Sequence, residues 1–193
     1  MNEKHACPNG TESYIIQEGD SLYQIAEKFN ISLDSLLRAN PYINPYMLFV
    51  GQIICIPKMW NSYSNDELNV SFMYPATWNE TSEDKYEGDD GFFQLAAIGT
   101  QRPVNKVCRH EAFNRKRNYG SNPKFISIQI ENQNGYLIYP SFDQDQDMDN
   151  ISALIVRYPK PIRLDHKVYN YLILWCSKGY IRHLGNTLRF NRY

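Results

Sequence analysis

The sequence lacks a long apolar segment and lacks a charge excess of either sign. Its longest apolar runs, at residues 47–50 and 171–176, are far shorter than the roughly 20 residues that cross a bilayer as a helix. Twenty Lys and Arg residues balance twenty-one Asp and Glu residues, for a formal net charge of −1. A surface that tracks phosphates normally shows a basic excess. We therefore expect no membrane span and no nucleic-acid partner.

Cysteine is scarce and scattered. The four cysteines, Cys7, Cys55, Cys108 and Cys176, form no C-x-x-C pair and no cluster with histidine, so we expect no metal and no cofactor. Residues 1–10 contain no apolar core of a secretory signal peptide, which predicts synthesis in the cytoplasm without a classical signal. Cys108 and Cys176 lie on apolar faces of predicted elements, and we expect them in the core.

Aromatic residues are abundant. Fifteen Tyr, nine Phe and three Trp residues make up 14% of the chain, and tyrosine suits half-buried sheet edges and surfaces that bind polar ligands.

A stretch rich in Asn, Ser, Asp and Glu at residues 59–69 is typical of a short linker. We therefore predict two domains, at residues 1–58 and 70–193, both of mixed α+β class.

The first domain has the order β-α-α-β. A β-type run at residues 13–17 precedes a turn, and Asp20 or Ser21 can cap the helix that follows. Apolar residues then recur at the spacing of one buried helix face. A second helix, opened by Ser32 or Asp34, ends at residues 40–41, and a β-run at residues 52–56 closes the domain.

The motifs EGDSLYQIA, LLRAN, NP, MLFVGQ and a final IP occur in that order between residues 12 and 57. In this order and spacing they resemble a LysM domain. The CP before this segment and the CIP at its end resemble LysM modules of bacterial spore-coat and cell-wall proteins. The resemblance implies binding to peptidoglycan or to another N-acetylglucosamine polymer such as chitin.

Two segments would flank the glycan groove in such a fold. They are the turn at residues 19–22 and the loop at residues 44–48, in which a glycine permits close backbone approach and apolar side chains offer contact to ring faces. The candidate glycan-binding residues are Gly19, Asp20, Ser21, Leu22, Asn44, Pro45, Tyr46, Met47 and Leu48. For Asp20 the alternative is a capping role alone, and for Leu22 and Leu48 it is a place in the core.

Cys7 and Cys55 lie just outside the two ends of this domain. A disulfide between them would close the domain in an oxidising compartment, whereas both would stay free thiols in a reducing cytosol. The sequence leaves both alternatives open.

The second domain shows β-rich runs with a few helices, which favours an antiparallel sheet backed by helices. The runs SFMYPATW and YEGDDGFFQLAAI, followed by a helix, further strands and a terminal helix, resemble the PsbP-like α/β sandwich. That resemblance carries no catalytic signature, and the role of residues 70–193 stays unassigned.

One catalytic motif begins but is not completed. His110-Glu111 starts an H-E-x-x-H zinc site, but Asn114 stands where the second histidine is needed,. We therefore expect no enzyme. The predicted function is non-catalytic glycan binding that attaches residues 70–193 to a cell wall or to a spore coat or cortex, where other coat or wall proteins are further partners. The alternatives are a LysM-targeted wall hydrolase with an unrecognised active site, and a structural coat component held by protein contacts.

Overall fold

The computed structural model describes residues 7–8, 10–29, 31–113, 119–145, 148 and 150–191. The chain divides into two compact units, residues 1–59 and 60–193. Within the described residues, no helix has the length and apolar character that a membrane crossing requires.

The N-terminal unit consists of two strands and two helices. Strands β1 (Thr11–Ile15) and β2 (Ile53–Pro57) pair in antiparallel register, and helices α1 (Leu22–Lys28) and α2 (Leu33–Ala39) lie between them in the chain. Alternate residues of β2 point inward, so Ile54 and Ile56 join the buried faces of both helices in one apolar cluster. The observed order β-α-α-β is the predicted one, although β1 begins two residues earlier than expected because its pairing with β2 sets its ends.

Cys7 and Cys55 are joined by a disulfide in this unit. The bond connects the segment before β1 to the middle of β2 and closes a sequence separation of 48 residues. Of the two alternatives that the sequence leaves open, the structure contains the closed form.

The C-terminal unit is built on a seven-stranded antiparallel sheet. The spatial order of its strands is β5-β6-β7-β11-β10-β9-β8. Their bounds are β5 (Asn79–Ser82), β6 (Lys85–Gly88), β7 (Gly91–Ile98), β8 (Lys124–Ile130), β9 (Gln133–Tyr139), β10 (Ile151–Leu164) and β11 (Lys167–Ser177).

A second, three-stranded sheet and two helices complete this unit. The sheet has the order β12-β4-β3, formed by β3 (Trp60–Asn65), β4 (Val70–Pro75) and β12 (Arg189–Phe190). The helices are α3 (Val104–Ala112) and α4 (Ile181–Thr187). The larger sheet separates two apolar clusters: one contains residues of α4 and the smaller sheet, and the other contains residues of α3. Helices and antiparallel sheets together make the chain α+β.

The predicted linker at residues 59–69 is wrong for residues 60–65, which form β3 and pair with β4. The polar composition is real, since Asn61, Ser62 and Ser64 are exposed. Between them, however, the Tyr63 ring is buried and lies 5.0 Å from that of Phe72. One buried aromatic residue and backbone pairing to a neighbouring strand therefore outweigh the linker-like composition.

Candidate functional site

The turn at residues 19–22 is fixed by hydrogen bonds to the Asp20 carboxylate. Oδ2 of Asp20 accepts from the Gln17 backbone N–H and from the Tyr14 hydroxyl, both at 2.8 Å. The Gln17 N–H, followed by the Tyr14 hydroxyl and the charge of Lys28, holds the pKa of Asp20 below its usual value,. Gly19 has φ +85°, where a side chain would be strained,. The Asp20 carboxylate thus has a structural role in the turn.

The side chains of Ser21 and Leu22 also have structural roles. The Ser21 hydroxyl accepts from the Gln24 backbone N–H, and the Gln24 side chain accepts from the Ser21 N–H, which together form a capping box at the start of α1,. Leu22 is only 5% exposed. Its side chain can therefore offer a ligand little surface, and the backbone of this turn is the part available to one.

In contrast, most side chains of the loop at residues 44–48 are exposed to solvent. Asn44 Oδ1 accepts from the Tyr46 N–H at 3.0 Å, and the Asn44 carbonyl accepts from the Met47 N–H at 3.1 Å, so the loop is a closed turn. Pro45 is exposed, Tyr46 is 97% exposed and Met47 is 57% exposed. Leu48 is half-buried and packs against the apolar cluster of the unit. The structure therefore places an aromatic ring and a thioether in solvent on a turn whose backbone is fixed.

The two segments belong to one rigid frame. Leu22 is a member of the apolar cluster against which Leu48 packs. The chain after the loop is also tied to the end of β1, because Ile16 accepts from the Gly51 N–H at 2.8 Å and donates to the Gln52 carbonyl at 2.9 Å. Both predicted segments are thus held by the same core.

Several other exposed apolar residues of this unit were not among the predicted site residues. Tyr42 is 97% exposed, Phe49 61% and Val50 69%, and Ile15 lies directly opposite Ile53 across the sheet with both side chains exposed. For Phe49 and Val50, the run YMLFV at residues 46–50 is a sequence signal of exposure, because five consecutive apolar residues cannot all be buried on one side of a short loop.

The incomplete H-E-x-x-H motif has a structural role. The Glu111 carboxylate accepts from the Tyr119 hydroxyl at 3.0 Å and from the Trp175 indole N–H at 2.9 Å, and it thereby ties α3 to β11. Asn114 lies outside the described residues. Among the residues that are described, no three His, Cys, Asp or Glu side chains are grouped as metal ligands.

Comparison with known families matches residues 14–57 to the LysM domain. These residues form a LysM domain, and the two candidate segments lie inside it.

Several curated proteins resemble a segment of this chain about as long as the LysM domain. Over 50 residues, 26% of this chain, it is 38% identical to the secreted LysM effector Blys4 of Beauveria bassiana. It is 54% identical over 46 residues, 23% of this chain, to the secreted LysM effector ECP6 of Passalora fulva. An uncharacterized protein of Chlamydia pneumoniae, CPj0593/CpB0616, is 39% identical over 46 residues, 24% of this chain.

The matched segments span 29%, 20% and 12% of the lengths of these three relatives. The chain therefore matches a small part of each relative, over a segment about as long as the LysM domain.

Proposed function

We propose that the LysM domain binds an N-acetylglucosamine-containing glycan, either peptidoglycan or a chitin-like polymer, without cleaving it. The observation that carries this proposal is the exposed loop at residues 44–48 within a matched LysM domain. Tyr46 presents a ring that can lie against a sugar face, and Met47 presents an adaptable apolar contact. The backbone at Gly19 can approach the sugar amide and hydroxyl groups closely.

The domain is small and its loop is open to solvent, so its affinity should be modest. A shallow site that buries part of a few sugar rings supports a dissociation constant of about 0.01–1 mM. Retention on a polymer then depends on many copies meeting many repeats. This behaviour suits a protein that stays on a wall and carries residues 60–193 as cargo.

An extracellular or wall location is the one that we favour. The effectors of Beauveria bassiana and Passalora fulva are named as secreted, and the Cys7–Cys55 disulfide persists best in an oxidising compartment,. Assembly onto a spore coat or cortex from the cytoplasm, with other coat proteins as partners, is the second location. Fractionation of the producing cells with an antibody against the chain separates the two.

The experiment that tests the function is co-sedimentation of the full chain with insoluble chitin and with purified peptidoglycan. We expect the chain in the pellet of at least one polymer and its release by added N-acetylglucosamine oligomers. Recovery in the supernatant with both polymers would contradict the proposal and favour a component held by protein contacts. A steady release of soluble sugars from the pellet would instead indicate the wall hydrolase.

A further inference from the structure

The C-terminal unit contains a cleft of about 840 Å³ that neither the sequence motifs nor the LysM similarity accounts for. It lies between the β6–β7 turn and the turn that follows β11, with Tyr139 of β9 and Asn150 at its sides. Its volume falls within the roughly 300–1,000 Å³ of small-molecule sites.

Hydrogen bonds connect residues on both sides of this cleft to each other and to Trp78. The Asp90 carboxylate accepts from the Trp78 indole N–H at 2.7 Å and from the Tyr180 hydroxyl. The Ser177 hydroxyl accepts from the Phe92 N–H at 3.1 Å. The two turns are thus pinned to each other, and the cleft is formed before any ligand arrives.

Two glycines bring the β6–β7 turn close to the Trp78 indole. A Cβ on Gly88 would lie 2.3 Å from Cδ1 of Trp78, and a Cβ on Gly91 would lie 2.9 Å from its Cζ2. No side chain fits at either position. The backbone of the turn therefore packs directly on the indole, which Tyr180 meets edge-on at 4.7 Å between ring centroids.

The lining carries three carboxylates, those of Glu87, Asp89 and Asp90, and one ammonium group, that of Lys178. Asp89, Asp90 and Lys178 are exposed, and Asn150 supplies an amide. The Glu87 carboxylate is paired with the Lys85 ammonium group. Phe92 and Tyr139 add half-exposed ring surface. An excess of carboxylates, which accept hydrogen bonds from hydroxyl groups, together with an amide and aromatic edges suits a hydroxyl-rich ligand and disfavours an anion.

We propose that this cleft is a second saccharide site, which takes an N-acetylated hexosamine unit. The choice of ligand class rests on the function proposed for the LysM domain. With two sites on one chain, a glycan polymer would be held at two points, and apparent affinity would exceed that of the LysM domain alone.

A substitution at Gly179 can block the cleft without disturbing the hydrogen bonds of Asp90 and Ser177. It lines the cleft, and a Cβ built on it has no heavy atom within 4 Å in the described part of the chain apart from its chain neighbours. The variant Gly179→Tyr therefore fills open space. The double variant Asp165→Asn/Lys167→Gln is the control: it changes exposed residues in the β10–β11 hairpin.

The test is an NMR titration of the ¹⁵N-labelled full chain with the N-acetylglucosamine trimer. We expect saturable shifts of the Gly91 and Gly179 amide signals. The shift at Gly91 should be lost in Gly179→Tyr and kept in the control, while LysM-domain signals such as those of Gly19 and Tyr46 shift in all three proteins. Dispersed spectra without sugar show that each variant is folded.

The outcomes separate this proposal from the function of the LysM domain. Shifts at Gly19 and Tyr46 with none at the cleft would overturn the second site alone. Shifts at the cleft with none in the LysM domain would support the second site and overturn the LysM function. An absence of shifts in both units would overturn both.

Discussion

The side-chain amide of Asn40 pairs with both backbone polar groups of Cys55. Asn40 Oδ1 accepts from the Cys55 N–H, and Nδ2 donates to the Cys55 carbonyl, each at 2.7 Å. The same Nδ2 donates to the Leu36 carbonyl at 2.8 Å. One side chain at the end of α2 therefore satisfies an orphan helix carbonyl and continues the hydrogen bonding of β2.

The variant Asn40→Ala should destabilise the LysM domain by about 2 kcal/mol, because it leaves partly buried backbone groups without partners. Hydrogen exchange at the Ile54 and Ile56 amides measures this loss. All three tryptophans, Trp60, Trp78 and Trp175, belong to the C-terminal unit. Tryptophan fluorescence therefore does not report on the LysM domain.

The exposed Asn44→Ala is the control for this change. It removes an amide from the same domain but touches only the local loop, and exchange at β2 should stay near the wild-type rate. Equal protection in Asn40→Ala and Asn44→Ala would contradict the role assigned to Asn40.

Reduction of the Cys7–Cys55 disulfide should lower the free energy of unfolding of the LysM domain by about 2–4 kcal/mol, since the bond restricts the unfolded chain over a sequence separation of 48 residues,. The measurement is hydrogen exchange at β2 with and without a phosphine reductant. The variant Cys7→Ser should match the reduced protein and show no further response to the reductant. An unchanged exchange rate in the reduced wild type would contradict this prediction.

The two remaining cysteines should not react in the folded protein. Cys108 and Cys176 are both free and buried, and burial raises the pKa of Cys108 to about 12,. Iodoacetamide at pH 8 should label neither thiol until urea unfolds the C-terminal unit, and mass spectrometry counts the labels. Rapid labelling of either thiol without denaturant would show that the packing around it is wrong.

Acid should weaken the LysM domain through Asp20. The folded state holds the pKa of this carboxyl below its value in the unfolded chain, so its contribution is present above the unfolded pKa of about 3.9. That contribution is lost as pH falls through the lower, folded pKa. Hydrogen exchange at β2 between pH 5 and pH 3 should show stability falling with pH in the wild type and a flatter profile in Asp20→Asn. Parallel profiles would contradict the assignment.

Glycine positions in the C-terminal unit should differ sharply in their tolerance of a methyl group. Gly88→Ala forces a Cβ against Trp78, with an expected loss of about 1–3 kcal/mol,, whereas Gly179→Ala meets open space and should be neutral. Urea unfolding followed by tryptophan fluorescence measures both variants. Equal midpoints would show that the turn does not pack on the indole as described.

Local sequence patterns are sufficient to predict both helices of the LysM domain. Both helices begin with a serine cap, Ser21 and Ser32, and the apolar spacing of α1 identifies the buried Leu22, Ile25 and Ala26. These signals are local because each cap bonds to a backbone N–H three residues on. The family motifs then order the elements.

The strands of the C-terminal unit show where such patterns fail. The middles of β10 and β11 are continuous apolar runs, a pattern that predicts buried strands,, but β3, β5 and β12 are short and largely polar. Strand β12 exists through pairing of Arg189 with Ser71 and of Phe190 with Val70. No local rule indicates a partner so distant in the chain.

The candidate sites divide in the same way. The sequence placed Tyr46 and Met47 in a loop, but it could not show that the Tyr14 hydroxyl and the Gln17 N–H hold the Asp20 carboxylate in its turn. The cleft of the C-terminal unit was missed because Asp90 meets Tyr180 across ninety positions. A site assembled by tertiary contacts leaves no spacing signal in the chain.

A calorimetric titration of the full chain with the N-acetylglucosamine hexamer tests whether the loop at residues 44–48 binds the glycan. All three proteins compared carry Gly179→Tyr, which blocks the cleft of the C-terminal unit, and they have the wild-type LysM domain, Tyr46→Ala or Tyr42→Ala. Both tyrosines are 97% exposed, so neither substitution should unfold the domain, but only Tyr46 lies in the candidate loop.

We expect binding in the range of about 0.01–1 mM, weakened roughly tenfold by Tyr46→Ala, as for the loss of a stacked ring, and unchanged by Tyr42→Ala. Equal affinity in all three proteins would contradict the assignment of the loop. No binding by the protein with the wild-type LysM domain would contradict the proposed function of that domain.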